Sequence, residues 1–143
     1  MNIYGKMDIM KTKFNTSFLV MSKHCNHRSP LIFGGKFFSE LDEAAYTCVR
    51  QVLFNSECDN AVTYKFDGEF IKPSFMGDVI YIECEITEMR FKTITVHVQA
   101  YREPEPTEKV EDASHILVAT ADFVFVTMQK DKYVNHGLTL QEK

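Results

Sequence analysis

The sequence predicts an α+β fold in a single domain spanning residues 1–143, with an antiparallel β-sheet wrapped around one long central helix. One stretch, opened by Phe33-Gly34-Gly35, repeats its apolar residues in steps of three and four, the mark of an amphipathic helix. The later stretches alternate with a period of two, as half-buried strands do. One helix cannot cover both faces of a five-stranded antiparallel sheet, so the sheet must curl around the helix to bury it.

Thr16 to Met21, a short run rich in strand formers, is the first expected strand. Ser22 to Pro30 is polar and reads as a loop, and Pro30 bars helix before the glycines. The helical stripe then runs through Phe37, Phe38, Leu41, Ala44, Ala45, Cys48, Val49, Val52 and Leu53, and Asn55-Ser56 ends it. Ala61 to Phe66 alternates, which assigns Val62, Tyr64 and Phe66 to one face. Pro73 breaks that run, and Met76-Gly77-Asp78 reads as a turn. Val79 to Glu88 sets Ile80, Ile82, Cys84 and Ile86 against Tyr81, Glu83 and Glu85, and Thr93 to Tyr101 gathers Ile94, Val96, Val98 and Ala100. Glu103 to Asp112, with two prolines and five acids, is an expected exposed loop. His115 to Met128 is long and β-rich, and a polar tail follows. The expected order is therefore strand, long helix, then four strands, with no repeat and no linker. So small a sheet with exposed edges favours a second copy across an edge or helix interface.

Composition excludes several classes of function. With 45% apolar and 13% aromatic residues, the chain can fill a core, so a wholly disordered chain is excluded. Sixteen basic against 20 acidic side chains leave a net charge of −4, which gives no support to nonspecific nucleic-acid binding. No apolar run reaches the ~18 residues of a membrane span. Met1 to Lys13 carries scattered lysines without the long apolar stretch of a secretory signal, so a cytoplasmic location is expected. Cys25, Cys48, Cys58 and Cys84 include no C-x-x-C pair, and Cys48 and Cys84 fall among apolar residues; all four are expected to be reduced. His24, Cys25 and His27 have no second ligand pair at a zinc-type spacing, so no metal site is expected there.

Two features could carry chemistry. Gly34 and Gly35 allow close approach, and the first N–H groups of a helix have no internal partner, so they can donate to an oxyanion or a polarised carbonyl. Among the helix acids Glu40, Asp42 and Glu43, Asp42 borders the apolar stripe, with Phe38 and Ala45 beside it, where burial can tune a base or nucleophile. Glu43 lies on the solvated face with Ser39, Thr47 and Arg50, and Glu40 has Lys36 four residues before it.

Phe33-Gly34-Gly35 followed by Asp42-Glu43-Ala44-Ala45 resembles the signature of the acyl-CoA thioesterases of the hotdog superfamily. Phe70-Ile71-Lys72-Pro73 leading to Gly77-Asp78 resembles the segment that enters the next strand in those enzymes, and Asp122-Phe123-Val124-Phe125-Val126 is similar to their closing strand. The matches keep chain order and span about residues 16–131. The resemblance implies the hotdog fold. It also implies hydrolysis of acyl-CoA to free acid and CoA in a tunnel between two subunits, in homodimers that assemble into tetramers or hexamers. No metal or tightly held cofactor is implied, and CoA enters only as part of the substrate.

By the same resemblance, Asp42 acts as general base or nucleophile, and the amides near Gly34 and Gly35 polarise the carbonyl. Asn26 positions water or substrate, and Thr63 supplies a hydroxyl from the strand after the helix. The turn Phe91-Lys92-Thr93-Ile94 would approach CoA, with Arg90 and Lys92 able to meet its phosphates. A hydratase on this fold needs a histidine five residues after the acid, where Thr47 stands. The other class of function compatible with the sequence is a non-catalytic acyl-CoA-binding or regulatory protein.

Overall fold

The apolar stripe forms one helix, α1 (Gly34–Leu53), which buries Phe37, Leu41, Ala44, Ala45, Cys48, Val49, Val52 and Leu53. In the computed structural model, which describes residues 12–54, 56–108 and 115–140, that helix is held by a curled antiparallel sheet. The strands are β1 (Lys13–Leu19), β2 (Asn60–Phe70), β3 (Val79–Arg90), β4 (Thr93–Arg102), β5 (Ile116–Gln129) and the two-residue β6 (Lys132–Tyr133). They lie in the order β1-β3-β4-β5-β2, with β6 paired to β5, and α1 touches each of β1 to β5. This is the hotdog fold. Among the described residues, no helix is long and apolar enough to cross a membrane.

The central strands follow their sequence pattern. Ile80, Ile82, Cys84 and Ile86 of β3 and Ile94, Val96, Val98 and Ala100 of β4 are all buried against the helix. Burial pushes the thiols of Cys48 and Cys84 up to about 12, so both are inert apolar groups. The first strand begins earlier than expected, at Lys13, and the polar tail contributes β6 through a turn in which Lys130 and Asp131 both take positive φ. The acidic loop is described only to Glu108; its remainder, 109–112, lies outside the described residues. Its first part is anchored, since the buried Arg102 holds Glu108 through two bonds of 2.5 and 3.1 Å and also donates to the Pro73 carbonyl. That guanidinium holds the Glu108 carboxyl down at about 2, so the anchor persists until strongly acid pH.

Strand β2 differs from its expected pattern. Its register against β5 shifts between Thr63 and Lys65, which makes Tyr64 the extra residue of a β-bulge. Ala61 and Thr63 pair with the buried Thr127 and Phe125, and past the bulge Phe66, Gly68 and Phe70 pair with the buried Phe123, Ala121 and Ala119. Val62, Tyr64 and Phe66 therefore do not share a face. The bulge flips the alternation so that Phe66, Gly68 and Phe70 follow Thr63 onto the helix side. Phe66 meets Phe38 at 4.8 Å, and Phe70 stacks on Phe37 at 5.3 Å.

Gly68 makes this inner row possible. A Cβ there would lie 2.6 Å from both the Ala121 Cβ and the Thr120 carbonyl oxygen. We expect Gly68→Ala to force β2 off β5 and to cost about 1–3 kcal/mol, the usual penalty of overpacking. Urea unfolding would report it, and an unchanged midpoint would contradict so close an approach.

Candidate active site

The N-terminus of α1 is set by the loop before it. The buried His24 accepts the Met21 amide at Nδ1 (3.0 Å), which fixes the proton on Nε2, and Nε2 donates to Glu40 Oε1 at 3.1 Å. Its carbonyl accepts the Phe33 amide at 2.8 Å. The loop is thus tied to both the first and second turns of the helix. Glu40, expected to relate to Lys36, is instead half-buried and spent on His24. His24 and Cys25 are likewise engaged structurally, Cys25 with the Met21 carbonyl at 3.3 Å. Asn26 lies in the same loop. Its main-chain N–H donates to the Leu31 carbonyl at 2.8 Å, and its side-chain oxygen accepts the Arg28 amide at 2.9 Å.

Gly34 and Gly35 open the helix, exposed, and their N–H groups have no partner among the described residues. Neither needs to be glycine for the chain's own packing. A Cβ on either would meet only an aromatic edge at 3.4 Å, that of Phe70 for Gly34 and of Phe33 for Gly35.

Two turns further on, Asp42 is half-buried. Thr63, on β2 just before the bulge, donates its hydroxyl to Asp42 Oδ1 at 2.7 Å. Oδ2 has no hydrogen-bond partner among the described residues. An open recess of about 450 Å³ adjoins this pair, bounded also by Tyr46, Thr47 and Val62. Tyr46, one turn beyond Asp42, donates to Asn60 Oδ1 at 2.7 Å and so pins the start of β2 to the helix. This latch was not expected, although the four-residue step from Asp42 to Tyr46 is visible in the sequence.

Arg90, Lys92 and Thr93 form the β3–β4 turn, and the side chains of Arg90 and Lys92 are exposed. Thr93 and Val62 are both partners of Val126, so the turn sits at the same end of the sheet as the Asp42–Thr63 pair, two strands or about 10 Å away. The structure thus joins Asp42 directly to Thr63, sets Gly34 and Gly35 at the helix start with Asn26 opposite Leu31 in the loop before it, and sets Arg90, Lys92 and Thr93 at a further position.

The family model for the thioesterase superfamily matches residues 29–109, which include Gly34, Gly35, Asp42, Thr63 and the β3–β4 turn. The chain belongs to the thioesterase superfamily. Among solved structures, this thioesterase-superfamily chain is similar to an acyl-CoA hydrolase from Staphylococcus aureus, in an asparagine-to-alanine form in complex with coenzyme A (19% identity, TM-score 0.76, 97% of this chain and 79% of that one). It is similar to the same hydrolase with butyryl coenzyme A (20% identity, TM-score 0.76, 96% and 80% covered). Forms of that protein with a threonine or an aspartate changed to alanine are also similar. A hexameric acyl-CoA thioesterase in its apo form matches as well (19% identity, TM-score 0.74, 97% and 85% covered). No curated protein sequence matches the chain.

The His24 tie carries a stability prediction. Replacing His24 with Leu strands the Met21 amide and the Glu40 carboxylate, and should cost about 1–3 kcal/mol. Hydrogen exchange at the Phe33 amide should quicken at the same time, and unaltered protection there would show that the loop does not depend on His24.

Proposed function

We propose that this protein hydrolyses the thioester bond of acyl-CoA, releasing the free acid and CoA, at sites shared between two copies of the chain. The observation that carries this reading is the Asp42–Thr63 pair. One carboxylate oxygen is held by a hydroxyl at 2.7 Å, and the other is free to act at the mouth of a recess.

As general base, Asp42 Oδ2 takes a proton from water while the water oxygen attacks the thioester carbonyl carbon. The carbonyl electrons move onto oxygen, where the N–H groups of Gly34 and Gly35 stabilise the charge with the helix dipole. When the tetrahedral species collapses, the C–S bond breaks and the thiolate of CoA takes up the proton held by Asp42. As nucleophile, Asp42 would instead form an acyl anhydride that water then opens. The same pair serves either course. Neither course needs a metal or a tightly held cofactor; CoA is part of the substrate, and Arg90, Lys92 and Thr93 lie where its phosphates can be met. Four free cysteines suit a reducing, cytoplasmic setting.

A shared site follows from distance. Seven residues of helix separate Gly35 from Asp42, about 10 Å along the axis. One carbonyl cannot lie within bonding reach of both. Strand β2 is the edge of the sheet and exposes Tyr64 (69%), Phe66 (59%) and Phe70 (51%). Gly34 adjoins the Phe70 end of β2, whereas Asp42 is bonded to Thr63 near its other end. Antiparallel pairing of two β2 edges brings opposite ends together. It carries the Gly34–Gly35 start and Asn26 of one copy toward Asp42 and Thr63 of the other. The hexameric neighbour supports an assembly of several copies, and the staphylococcal forms change the same three residue types as Asn26, Thr63 and Asp42.

A thiol-release assay across acyl-CoA chain lengths tests the reading. Asp42→Asn should lower kcat by about 10²-fold or more. Thr63→Val should lower it about tenfold, and Thr63→Ser should keep most of it. Wild-type protein that binds acyl-CoA without turning it over would establish the non-catalytic alternative instead.

Gly35→Ala separates function from folding. Because a Cβ has room there, thermal stability should hold or rise by up to about 1 kcal/mol, while activity falls tenfold or more for want of close carbonyl approach. Sedimentation at micromolar concentration should find dimers or larger species; a monomer would remove the second half of the site.

A further inference from the structure

Beyond β6 the chain returns across the β3–β4 turn, and every main-chain carbonyl of that turn is engaged. The His136 Nε2–H donates to the Arg90 carbonyl and, at 3.2 Å, to that of Thr93. The His136 amide donates to the Phe91 carbonyl at 3.0 Å, and the Thr127 amide to that of Lys92 at 2.8 Å. The tail is itself fastened to β5, since the Thr127 hydroxyl donates to the Val134 carbonyl at 2.6 Å. His136 is buried, and Leu138 donates its amide to the ring's Nδ1 at 2.9 Å, so the ring is neutral with its proton on Nε2. Gly137, at φ +69°, supplies the left-handed step that lets the ring turn inward. Tail and turn together border an open recess of about 530 Å³, lined by Arg90, Phe91, Asn135, His136 and Leu138. The turn's side chains are open to solvent: Arg90 and Lys92 are exposed, and Phe91, which with Arg90 also lines this recess, is 79% exposed.

We propose that His136 is a positioning residue for CoA, holding the β3–β4 turn rigid so that Arg90, Lys92 and the Phe91 ring meet the phosphates and base of the nucleotide, with the tail as the second wall of that recess. This rests on the acyl-CoA reading above. A rigid turn with two cations and an open aromatic ring loses little entropy on binding a phosphorylated nucleotide, whereas a loose one must be ordered each time. The neutral ring is essential to the clasp. A proton on Nδ1 would confront the Leu138 N–H, and the turn that the ring holds carries Arg90 and Lys92, with Glu88 already paired to Arg90 at 2.7 Å.

Burial holds the His136 imidazole below its ordinary range, and the bonds to the Arg90 and Thr93 carbonyls offset this only in part. Protonation is thus easier once the tail is released. The clasp is whole above the ordinary histidine value of about 6.5 and is lost as pH falls below it, through the lower value of the docked ring.

The experiment measures KM and kcat for butyryl-CoA, and the Kd of CoA by calorimetry, between about pH 5.5 and 8, a range that spans the ordinary histidine value. His136→Ala should raise KM and Kd about tenfold at neutral pH with kcat within about twofold. Wild-type KM should climb on the acid side. His136→Gln restores an N–H near the Nε2 position and does not titrate, so it should keep a low KM and flatten the acid rise. Hydrogen exchange at Leu138 and Thr127 shows whether the tail is docked in each protein. Equal KM and Kd in all three proteins, or a loss in kcat instead, would overturn the positioning role. Wild type without any turnover would overturn the hydrolase reading alone, and the Kd of CoA then decides the role of His136 by the same comparison.

Discussion

The arrangement of the site depends on one irregularity, the bulge at Tyr64. Strand β2 must face α1 with Ala61 and Thr63 before the bulge and with Phe66, Gly68 and Phe70 after it. Without the extra residue, a strand that turned Thr63 inward would also turn Lys65, Asp67 and Glu69 toward the helix. Burying three unpaired charges there would cost more than any contact in the region returns. The bulge resolves the conflict locally. It keeps the hydroxyl of Thr63 at 2.7 Å from Asp42, and it keeps the aromatic row Phe66 and Phe70 against Phe38 and Phe37. A polar contact and an apolar wall thus share one strand at adjoining positions.

That same irregularity marks where the sequence ceased to be legible. Val62, Tyr64 and Phe66 make an apolar alternation, which is the simplest reading of that stretch, and no local residue announces the slip. What selects the bulge is tertiary: the small Ala61 fits beneath the helix, and Thr63 finds a carboxylate twenty-one residues earlier. Period-two arguments cannot see such a partner. They worked where one face is wholly apolar, as in β3 and β4, and the three-and-four stripe of α1 was equally plain. Asp42 was legible because it borders that stripe. The alternative fate of Glu40 was not, since its partner His24 belongs to a loop whose path no periodicity describes.

The site divides into two halves by position on one helix. The first turn offers unpartnered N–H groups and the positive end of the dipole, and the loop tied by His24, which carries Asn26, leads into it. The third turn offers a carboxylate steadied from β2. A helix is stiff, so the two cannot be drawn together within the chain. The separation that prevents each half from serving one carbonyl alone also makes the two halves complementary, because the ends of β2 adjoin different halves and an antiparallel partner exchanges ends. In the proposed dimer, assembly and chemistry become the same requirement, and the exposed aromatic residues of β2 would serve both.

The β3–β4 turn poses the opposite problem, that of holding a short exposed hairpin still. A two-residue turn of a phenylalanine and a lysine, entered from an arginine, has little of its own to fix its main chain. The usual remedy is a glycine-rich geometry with strong internal bonds; here the carbonyls are instead taken up from outside by Thr127 and His136. This choice leaves the Phe91 and Lys92 side chains exposed, while Arg90 is paired to Glu88 at 2.7 Å. It also makes their placement conditional on a segment nearly fifty residues later in the chain, attached through one imidazole that can accept a proton. Thr127 links the two arrangements: it pairs with Ala61 on β2 and donates to Lys92 in the turn, so the end of the sheet beside Asp42 and the tip of the hairpin share one anchor. If the turn binds CoA as proposed, a disturbance of the tail would reach ligand placement through these main-chain bonds, while the Asp42–Thr63 contact is made on the other side of β5.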